Sequence, residues 1–312
     1  MAHTGTTLVT GAAGQVGSVG RQLVALLRQQ AMPVRALVRK EDQRSAHLAE
    51  MGAEIVVADL TRPDQVYAAM KGCTQAFFAT SIGPSFLECA LATTAAAREC
   101  GLEMLVNLSQ MTTSQMRIDA MTDSPQQRQG WLTENAMNWS GVRVVHVRAT
   151  IFMQAFFLRW AAMSISRDDT LRFPFGDGKT SPIASQDVAQ AIFEILDSDP
   201  LPAGTIFELT GPQSIDMSDM ALEYGAALNR PIAYVDIPHD QWVASFVDPL
   251  PISPHLKEHL IAMAHLHKAN RYDRFTNDFE QLTGRKPQRI RDFVRENAAA
   301  FARKPTVHSG RA

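Results

Sequence analysis

The sequence TTLVTGAAGQVG, residues 6–17, places three glycines directly after a short apolar run. Residues 6–10 predict a buried strand, and the apolar spacing of residues 16–30 predicts a helix. The three glycines would allow, in turn, a tight turn, close approach of the backbone to a pyrophosphate, and close packing of helix on strand. Free N–H groups at the helix start would then face phosphate oxygens. We therefore predict a dinucleotide-binding turn formed by Gly11, Ala13, Gly14, Gln15, Val16 and Gly17.

The alternation of strand and helix continues through the first half of the chain. Five further apolar runs predict strands at residues 33–38, 54–58, 75–80, 104–108 and 142–147. Continuous apolar strands that alternate with helical segments indicate a parallel sheet covered on both faces. Because such crossovers are right-handed, the fold class expected is α/β, with a Rossmann-type doubly wound parallel sheet.

The pattern changes after residue 150. Residues 152–166 predict an aromatic-rich helix, residues 173–179 are rich in turn formers, and helical patterns dominate from residue 211 to residue 303. One more strand is expected at residues 205–209, which would return to the main sheet. We predict a dinucleotide-binding domain of residues 1–150 plus 184–210, a smaller and mainly helical substrate lobe of residues 151–183 plus 211–303, and a loose tail at 304–312.

Composition excludes several classes of partner. The 312 residues are 46% hydrophobic and 20% charged, with a formal net charge of −2 and no basic stripe, which argues against nucleic acid and anionic membranes. Three cysteines without metal-ligand spacing fit a reduced, cytoplasmic setting, and no signal peptide or apolar run of membrane-spanning length is expected. His255 and His259 have zinc-compatible spacing, but no glutamate completes the motif, so no metal is predicted.

The end of the second strand bears on the choice of cofactor. An acidic residue there would bind the ribose diol of NAD, whereas this chain has Arg39 and Lys40. A guanidinium can hold the 2′-phosphate of NADP with two hydrogen bonds, so NADP(H) is favoured and NAD(H) stays open. Asp59 and Leu60, after the third strand, are expected beside the adenine. The alternatives are a solvated basic turn at Arg39 and an Asx turn at Asp59.

Four segments together resemble the NmrA-like atypical short-chain dehydrogenases, a group that includes isoflavone-reductase-like proteins and NAD(P)H-dependent quinone and azo reductases. They are GAAGQVG (11–17), ALVRK (36–40), VVADL (56–60) and ENAMNWSGVRVVHVRATIFMQ (134–154). The resemblance implies that residues after strands four and five line the ribose and nicotinamide, and that residues 152–154 cap the nicotinamide pocket. The positions concerned are Thr80, Ser81, Asn107, Leu108, Ser109, Phe152, Met153 and Gln154.

The Tyr-x-x-x-Lys pair of ordinary short-chain dehydrogenases is missing after strand five. Related proteins often carry lysine or histidine four residues before the glutamate of this helix, where this chain has Gly130. Ser109 and Gln110 could hydrogen-bond a substrate carbonyl, Arg128 lies close in sequence, and Tyr272 could donate a proton from the second lobe. Each of them could equally serve packing or cofactor contact.

Three functions are compatible with these features. The first is an NAD(P)H-dependent oxidoreductase that reduces an apolar, aromatic or quinoid small molecule, because such acceptors can take protons from water. The second is a non-catalytic sensor that binds NAD(P)(H) and presents its second lobe to a protein, and the third is a lyase or cyclase on the same fold. The sequence leaves open whether the protein is a monomer or a homodimer.

Overall fold

The computed structural model describes residues 5–14 and 19–303. Seven strands form one sheet in the order β3-β2-β1-β4-β5-β6-β8, and every neighbouring pair is parallel. The strands of this sheet are β1 (Thr6–Val9), β2 (Val34–Val38), β3 (Glu54–Val57), β4 (Cys73–Phe78), β5 (Met104–Gln110), β6 (Val144–Ala149) and β8 (Thr205–Leu209). The doubly wound α/β fold predicted from the sequence is confirmed.

Helices cover both faces of the sheet and form most of the chain after residue 210. They are α1 (Val19–Gln29), α2 (Gln43–Glu50), α3 (Pro63–Met70), α4 (Phe86–Glu99), α5 (Pro125–Trp139), α6 (Ala161–Asp168), α7 (Ser185–Asp197), α8 (Met217–Leu228), α9 (His239–Trp242), α10 (Pro254–Lys268), α11 (Asp278–Thr283) and α12 (Ile290–Glu296). Two 3₁₀ segments (Met111–Gln115 and Ala298–Phe301) and two π-helical segments (Met153–Trp160 and Val243–Val247) complete the set. Within the described ranges, no helix combines the length and apolar character needed to cross a membrane.

A second, two-stranded sheet was not predicted. Strand β7 (Thr170–Phe173) pairs in parallel with β9 (Ala233–Asp236), which adds one strand to the mainly helical stretch predicted after residue 211. Each strand has only four residues, which is too short for an alternating pattern to stand out in the sequence. The pairing partner is more than 60 residues away, and only the tertiary structure brings it into place.

Adjacent residues of the central strands point into different cores. Val9 and Phe77 belong to the core under α1 and α7, while their neighbours Leu8 and Phe78 belong to the core on the opposite face. A third apolar core is built entirely from residues between Ile151 and Phe301. The exact boundaries of a dinucleotide domain and a substrate lobe stay a prediction.

Hydrogen bonds at helix starts explain where several helices begin. The Asp42 carboxylate accepts from the backbone of Ser45, and the Ser45 hydroxyl returns the contact to the Asp42 N–H, which forms a capping box for α2. Ser124 caps α5 ahead of a proline, and its hydroxyl is also hydrogen-bonded to His259 Nδ1 at 2.9 Å. Burial and the charge of His255 lower the pKa of His259 to about 4. His259 therefore joins α10 to the start of α5 as a neutral ring.

Asp187 on α7 connects the main sheet's helical layer to the segment before α12. Its Oδ2 atom accepts a hydrogen bond from the backbone N–H of Gln288 at 2.8 Å. Burial raises the pKa of Asp187 to about 6, and the bond from Gln288 offsets only part of this effect. The folded protein therefore holds this proton over a range in which the unfolded chain, with a carboxyl pKa of about 3.9, has lost it.

This linkage predicts how stability depends on pH at Asp187. Its contribution to the free energy of unfolding should fall as the pH rises from about 4 to about 6, because the buried carboxyl loses its proton over that interval. At pH 7.5, Asp187→Asn should unfold with a free energy about 1–2 kcal/mol higher than the wild type, and the difference should vanish near pH 4. Urea unfolding at both pH values measures this difference. Asp187→Ala, which also loses the acceptor for Gln288, is the control, and a pH-independent difference for Asp187→Asn would contradict the assignment.

Candidate active site

The glycine turn passes tightly against strand β4 at the carboxyl edge of the sheet. Gly11 has φ +71°, and a Cβ atom there would lie 2.8 Å from the carbonyl oxygen of Ala79. A Cβ at Gly14 would lie 3.1 Å from the Gly11 oxygen. The Thr10 hydroxyl donates to Ala79 O at 2.7 Å and accepts from Ala79 N at 2.9 Å, which fixes the turn on β4. The close approaches at Gly11 and Gly14 are compatible with the predicted pyrophosphate turn, whose binding role stays a prediction. Gln15, Val16 and Gly17 lie outside the described residues.

Gly20 is a closely packed glycine beside the turn that the sequence analysis did not select. A Cβ atom on this residue of α1 would lie 2.9 Å from both the Cα and the N of Ala12. Close packing of the helix on the turn, the role predicted for Gly17, therefore also depends on Gly20. The spacing continues the three-residue interval of Gly11, Gly14 and Gly17, which is the signal that could have found it.

Two exposed basic residues follow β2. Arg39 and Lys40 are both exposed, at the edge where the adenosine half of a dinucleotide lies in this fold. Arg44 also reaches the turn, since its Nη1 donates to the Ala13 carbonyl at 2.8 Å while Asp42 binds the same guanidinium. Arg44, at the start of α2, is thus a basic residue in contact with the glycine turn.

Asp59 forms an Asx turn, one of the two alternatives that the sequence allows at this position. Its Oδ1 atom accepts from the backbone N–H of Thr61 at 2.9 Å and from the Thr61 hydroxyl at 2.8 Å. These bonds lower the pKa of Asp59, and the charge of Arg39 contributes in the same direction. Asp59 is exposed and Leu60 half-buried, so contact of both with the adenine stays a prediction.

The loop after β4 is joined to α5. Thr80 is half-buried and Ser81 exposed. Two residues later, Gly83 N donates to Gln126 Oε1 at 3.2 Å, and the same oxygen is 3.0 Å from His255 Nε2. The predicted contact of Thr80 and Ser81 with the cofactor is not tested by these bonds, but the loop that carries them is positioned by α5 and α10.

Strand β5 extends to residue 110, so Ser109 and Gln110 lie within the strand rather than after it. They pair with Arg148 and Ala149 of β6. The Ser109 hydroxyl donates to the Glu134 carboxylate, which Thr113 also contacts at 2.9 Å. Asn107, two residues earlier on the same face, is buried and hydrogen-bonded to His146 Nδ1 at 3.1 Å. The side chains of Asn107 and Ser109 are therefore engaged in contacts within the protein.

A buried ion pair holds Glu134 in place. Arg148 Nη2 lies 2.6 Å from Glu134 Oε2, and Arg148 Nη1 lies 3.3 Å from Glu208 Oε1. Burial by itself would raise the pKa of Glu134, but the hydrogen bonds and charge of Arg148 outweigh it and lower the pKa. Glu134 is thus an ionised acceptor, and the proton of Ser109 points to it.

The Gln110 carboxamide lies beside the glycine on α5. A Cβ atom at Gly130 would be 3.2 Å from Gln110 Nε2 and 3.6 Å from Thr113 Cγ2. Arg128 does not enter this space, because its Nη1 donates to the carbonyls of Thr122 at 2.9 Å and Asp123 at 2.8 Å. Gln110 therefore occupies the region into which a longer side chain at position 130 would project.

The remaining candidates are held by packing. Tyr272 is buried, its hydroxyl is 3.3 Å from Gln127 Nε2, and its ring stacks on His267 at a centroid distance of 4.0 Å. Burial raises its pKa above the ordinary value, which favours a structural role, although a catalytic one stays a prediction. Phe152 is half-buried and bridges to Ile183, just before the π-helical segment.

Comparisons with known proteins identify the nucleotide half. A family model described as NAD(P)H-binding matches residues 11–199. An NAD(P)H azoreductase of Xenophilus azovorans is 28% identical over 290 residues, which cover 92% of this chain and 97% of that protein. The chain therefore carries an NAD(P)H-binding domain, and the predicted cofactor class is confirmed.

Two solved structures show the same fold at low identity. An NADPH-dependent quinone oxidoreductase from Escherichia coli, complexed with NADPH, aligns with a TM-score of 0.80 at 17% identity and covers 93% of this chain and 99% of its own. NmrA, a negative transcriptional regulator in complex with NADP, aligns with a TM-score of 0.76 at 17% identity and covers 94% and 95%. One is described as an enzyme and the other as a regulator, so the shared fold does not decide between these functions.

The packing of Gly20 predicts a specific loss of cofactor binding. Although alanine favours helices, Gly20→Ala should push α1 away from Ala12 and weaken NADPH binding by about tenfold or more, because the turn's N–H groups lose their positions. Isothermal titration with NADPH measures this. Gly225→Ala on α8, whose Cβ would lie 3.1 Å from the carbonyl oxygen of Arg230, is the control for general strain. Equal losses of affinity in the two variants would contradict a specific role for Gly20.

Proposed function

The chain belongs to the NAD(P)H-binding family, and we propose that it is an NAD(P)H-dependent reductase of an apolar, aromatic or quinoid acceptor, in keeping with its resemblance to the NmrA-like atypical short-chain dehydrogenases. The observation that carries this proposal is the position of Gln110. Its carboxamide lies at the carboxyl end of β5, in the space left by Gly130, where ligands bind in open parallel sheets. A neutral amide there can orient an acceptor by hydrogen bonding but cannot supply a proton.

The surroundings of the two candidate hydroxyl groups restrict which class of acceptor the protein could reduce. When bound, NAD(P)H supplies a hydride. Ser109 directs its hydroxyl proton to the ionised Glu134, and Tyr272 is buried with a raised pKa, so neither is suited to protonate a substrate. Quinones and azo compounds can take protons from water after reduction, whereas an alcohol dehydrogenase needs a protein acid at the reacting oxygen. The proposal therefore places the chemistry among electron-poor acceptors, as in the azoreductase relative.

A redox sensor is the second candidate, and the same proton arrangement favours it. A cofactor site with no evident proton donor among the residues that the structure describes suits a protein that reports the state of NADP(H) to a partner. Such a sensor requires different affinities for NADP⁺ and NADPH, because a ligand shifts states only by differential affinity. Equal affinities in calorimetry would exclude this function.

Arg39 is proposed to select NADP(H) over NAD(H). Removing one charge-assisted pair with the 2′-phosphate should cost about 2 kcal/mol, so Arg39→Ser should weaken NADPH binding by about 30-fold. NADH binding should change less than about twofold, because NADH lacks that phosphate. Titration of both cofactors measures the ratio, with Arg98→Ser on α4 as a matched surface control. If Arg39→Ser weakened NADPH binding and NADH binding equally, Arg39 would not bind the 2′-phosphate.

The role of Gln110 is tested by a double-mutant cycle in an NADPH oxidation assay with quinones and azo dyes. Gln110→Ala should lower kcat/KM by about tenfold or more, and Gly130→Ala by about fivefold, because its methyl displaces the amide from 3.2 Å. The double variant should match Gln110→Ala alone, since no amide remains to be displaced.

Two results in this assay would contradict the proposal. If the losses of kcat/KM from Gln110→Ala and Gly130→Ala add up in the double variant, Gly130 does not act through the Gln110 amide, and the proposed role of that amide is contradicted. If the wild type oxidises NADPH no faster than the acceptor and cofactor do without protein, the reductase function itself fails. Gln129→Ala, whose side chain contacts the backbone of Pro84 and Leu87, is the control on the same helix.

A further inference from the structure

Residues 271–276 form a strap across the carboxyl edge of the sheet. At one end, Arg271 Nε donates to Gln115 Oε1 at 2.6 Å, and Gln115 Nε2 returns a bond to Arg271 O at 2.8 Å. At the other end, Thr276 N donates to the Thr210 hydroxyl at 3.2 Å. Gln115 follows β5 and Thr210 follows β8, while β6 lies between them in the sheet. The strap therefore spans the ends of three strands, on the side where the acceptor is expected.

Arg274, near the middle of the strap, has an unusual environment for a half-buried arginine. Its Nη2 donates to the Ser114 hydroxyl at 2.9 Å. Among the residues that the structure describes, no carboxylate lies within ion-pair distance of this guanidinium, whereas Arg148 and Arg291 each pair with a glutamate. The adjacent Asp273 is bound instead by Ser214 and Asn270. Arg274 is thus a positioned cation whose remaining N–H groups have no anionic partner in the described chain.

The length of backbone from Gln110 to Ser114 gives an order of magnitude for the length of a ligand that could contact both Gln110 and Arg274. The intervening 3₁₀ segment advances about 2 Å per residue, so Ser114 lies about 8 Å beyond Gln110, close to the length of a fused bicyclic aromatic. Phe275 is 64% exposed beside Arg274, and Ile118 is 81% exposed shortly after the 3₁₀ segment. An exposed aromatic side chain next to a cation in the chain, as Phe275 is to Arg274, suits an aromatic body that carries a negative group.

We propose that Arg274 binds an anionic substituent, a carboxylate or a sulfonate, on the aromatic acceptor. This inference rests on the proposed reductase function, and it narrows the substrate class from aromatic compounds in general to aromatic anions. The planar guanidinium can hold either group through two parallel N–H donors. The bonds between Arg271 and Gln115 fix the strap in advance, which lowers the cost of ordering the cation when the acceptor binds.

The kinetic test compares an azo dye carrying a para-sulfonate with its neutral sulfonamide analogue. Arg274→Gln should lower kcat/KM for the sulfonate by about 10- to 50-fold, mainly through KM, and change the sulfonamide by less than about twofold. Arg274→Lys should restore part of the loss. Ser114→Ala should stay close to the wild type, because the cation remains, whereas a strap-fixing role for Arg274 would make the two variants alike. Arg291→Gln is the matched control.

A binding measurement separates this inference from the proposed function. Calorimetry of 2-naphthalenesulfonate against the NADP⁺ complex should give a Kd about tenfold weaker in Arg274→Gln, with 2-naphthalenesulfonamide unaffected. If neither dye is reduced but this difference appears, the anion site stands and the reductase function fails. If the dyes are reduced and Arg274→Gln affects the charged and neutral compounds equally, the reductase function stands and the anion site is overturned.

Discussion

The ion pair between Glu134 and Arg148 is the constraint on which the carboxyl edge of the sheet depends. It joins α5 to β6, reaches β8 through Glu208, and holds the end of β5 through Ser109. Removing one partner of a buried pair typically costs about 3–5 kcal/mol, because the other charge remains without compensation. Glu134 also accepts a hydrogen bond from Thr113 at 2.9 Å, which joins the 3₁₀ segment between Gln110 and the strap's partners to α5.

This constraint has a chemical consequence for Ser109. The ionised Glu134 carboxylate accepts the hydrogen bond that the Ser109 hydroxyl donates, so this hydroxyl is engaged within the protein, and a catalytic role for Ser109 stays a prediction. The absence of a side chain at Gly130 then leaves space that the amide of Gln110 fills. The contact of Ser109 with Glu134 and the small residue at position 130 together leave the Gln110 amide as the polar group that we propose for contact with the acceptor.

Features formed by neighbouring residues could be predicted from the sequence, whereas contacts between residues far apart in the chain could not. The strands of the large sheet and the glycine turn follow from runs of a few residues, and both were found. Strands β7 and β9 are short and join residues over 60 positions apart, so no local pattern marks them. Gly20 could have been found by extending the glycine spacing. The pairing of Ser109 with Glu134 spans 25 residues and that of Ser114 with Arg274 spans 160, and neither can be derived without the fold.

The cofactor side and the acceptor side of the candidate site differ in how far apart in the sequence their contacting residues lie. The contacts expected for the pyrophosphate and the adenosine come from the first 60 residues, where Gly11, Gly20 and Arg39 lie close to their own strands. The acceptor side is assembled from α5, the 3₁₀ segment and the strap, which meet only through long-range bonds. A change in the strap can therefore alter what is bound opposite the cofactor without disturbing the nucleotide cradle. Reductases and a regulator can share such a fold because the half that binds the nucleotide does not determine what the other half recognises.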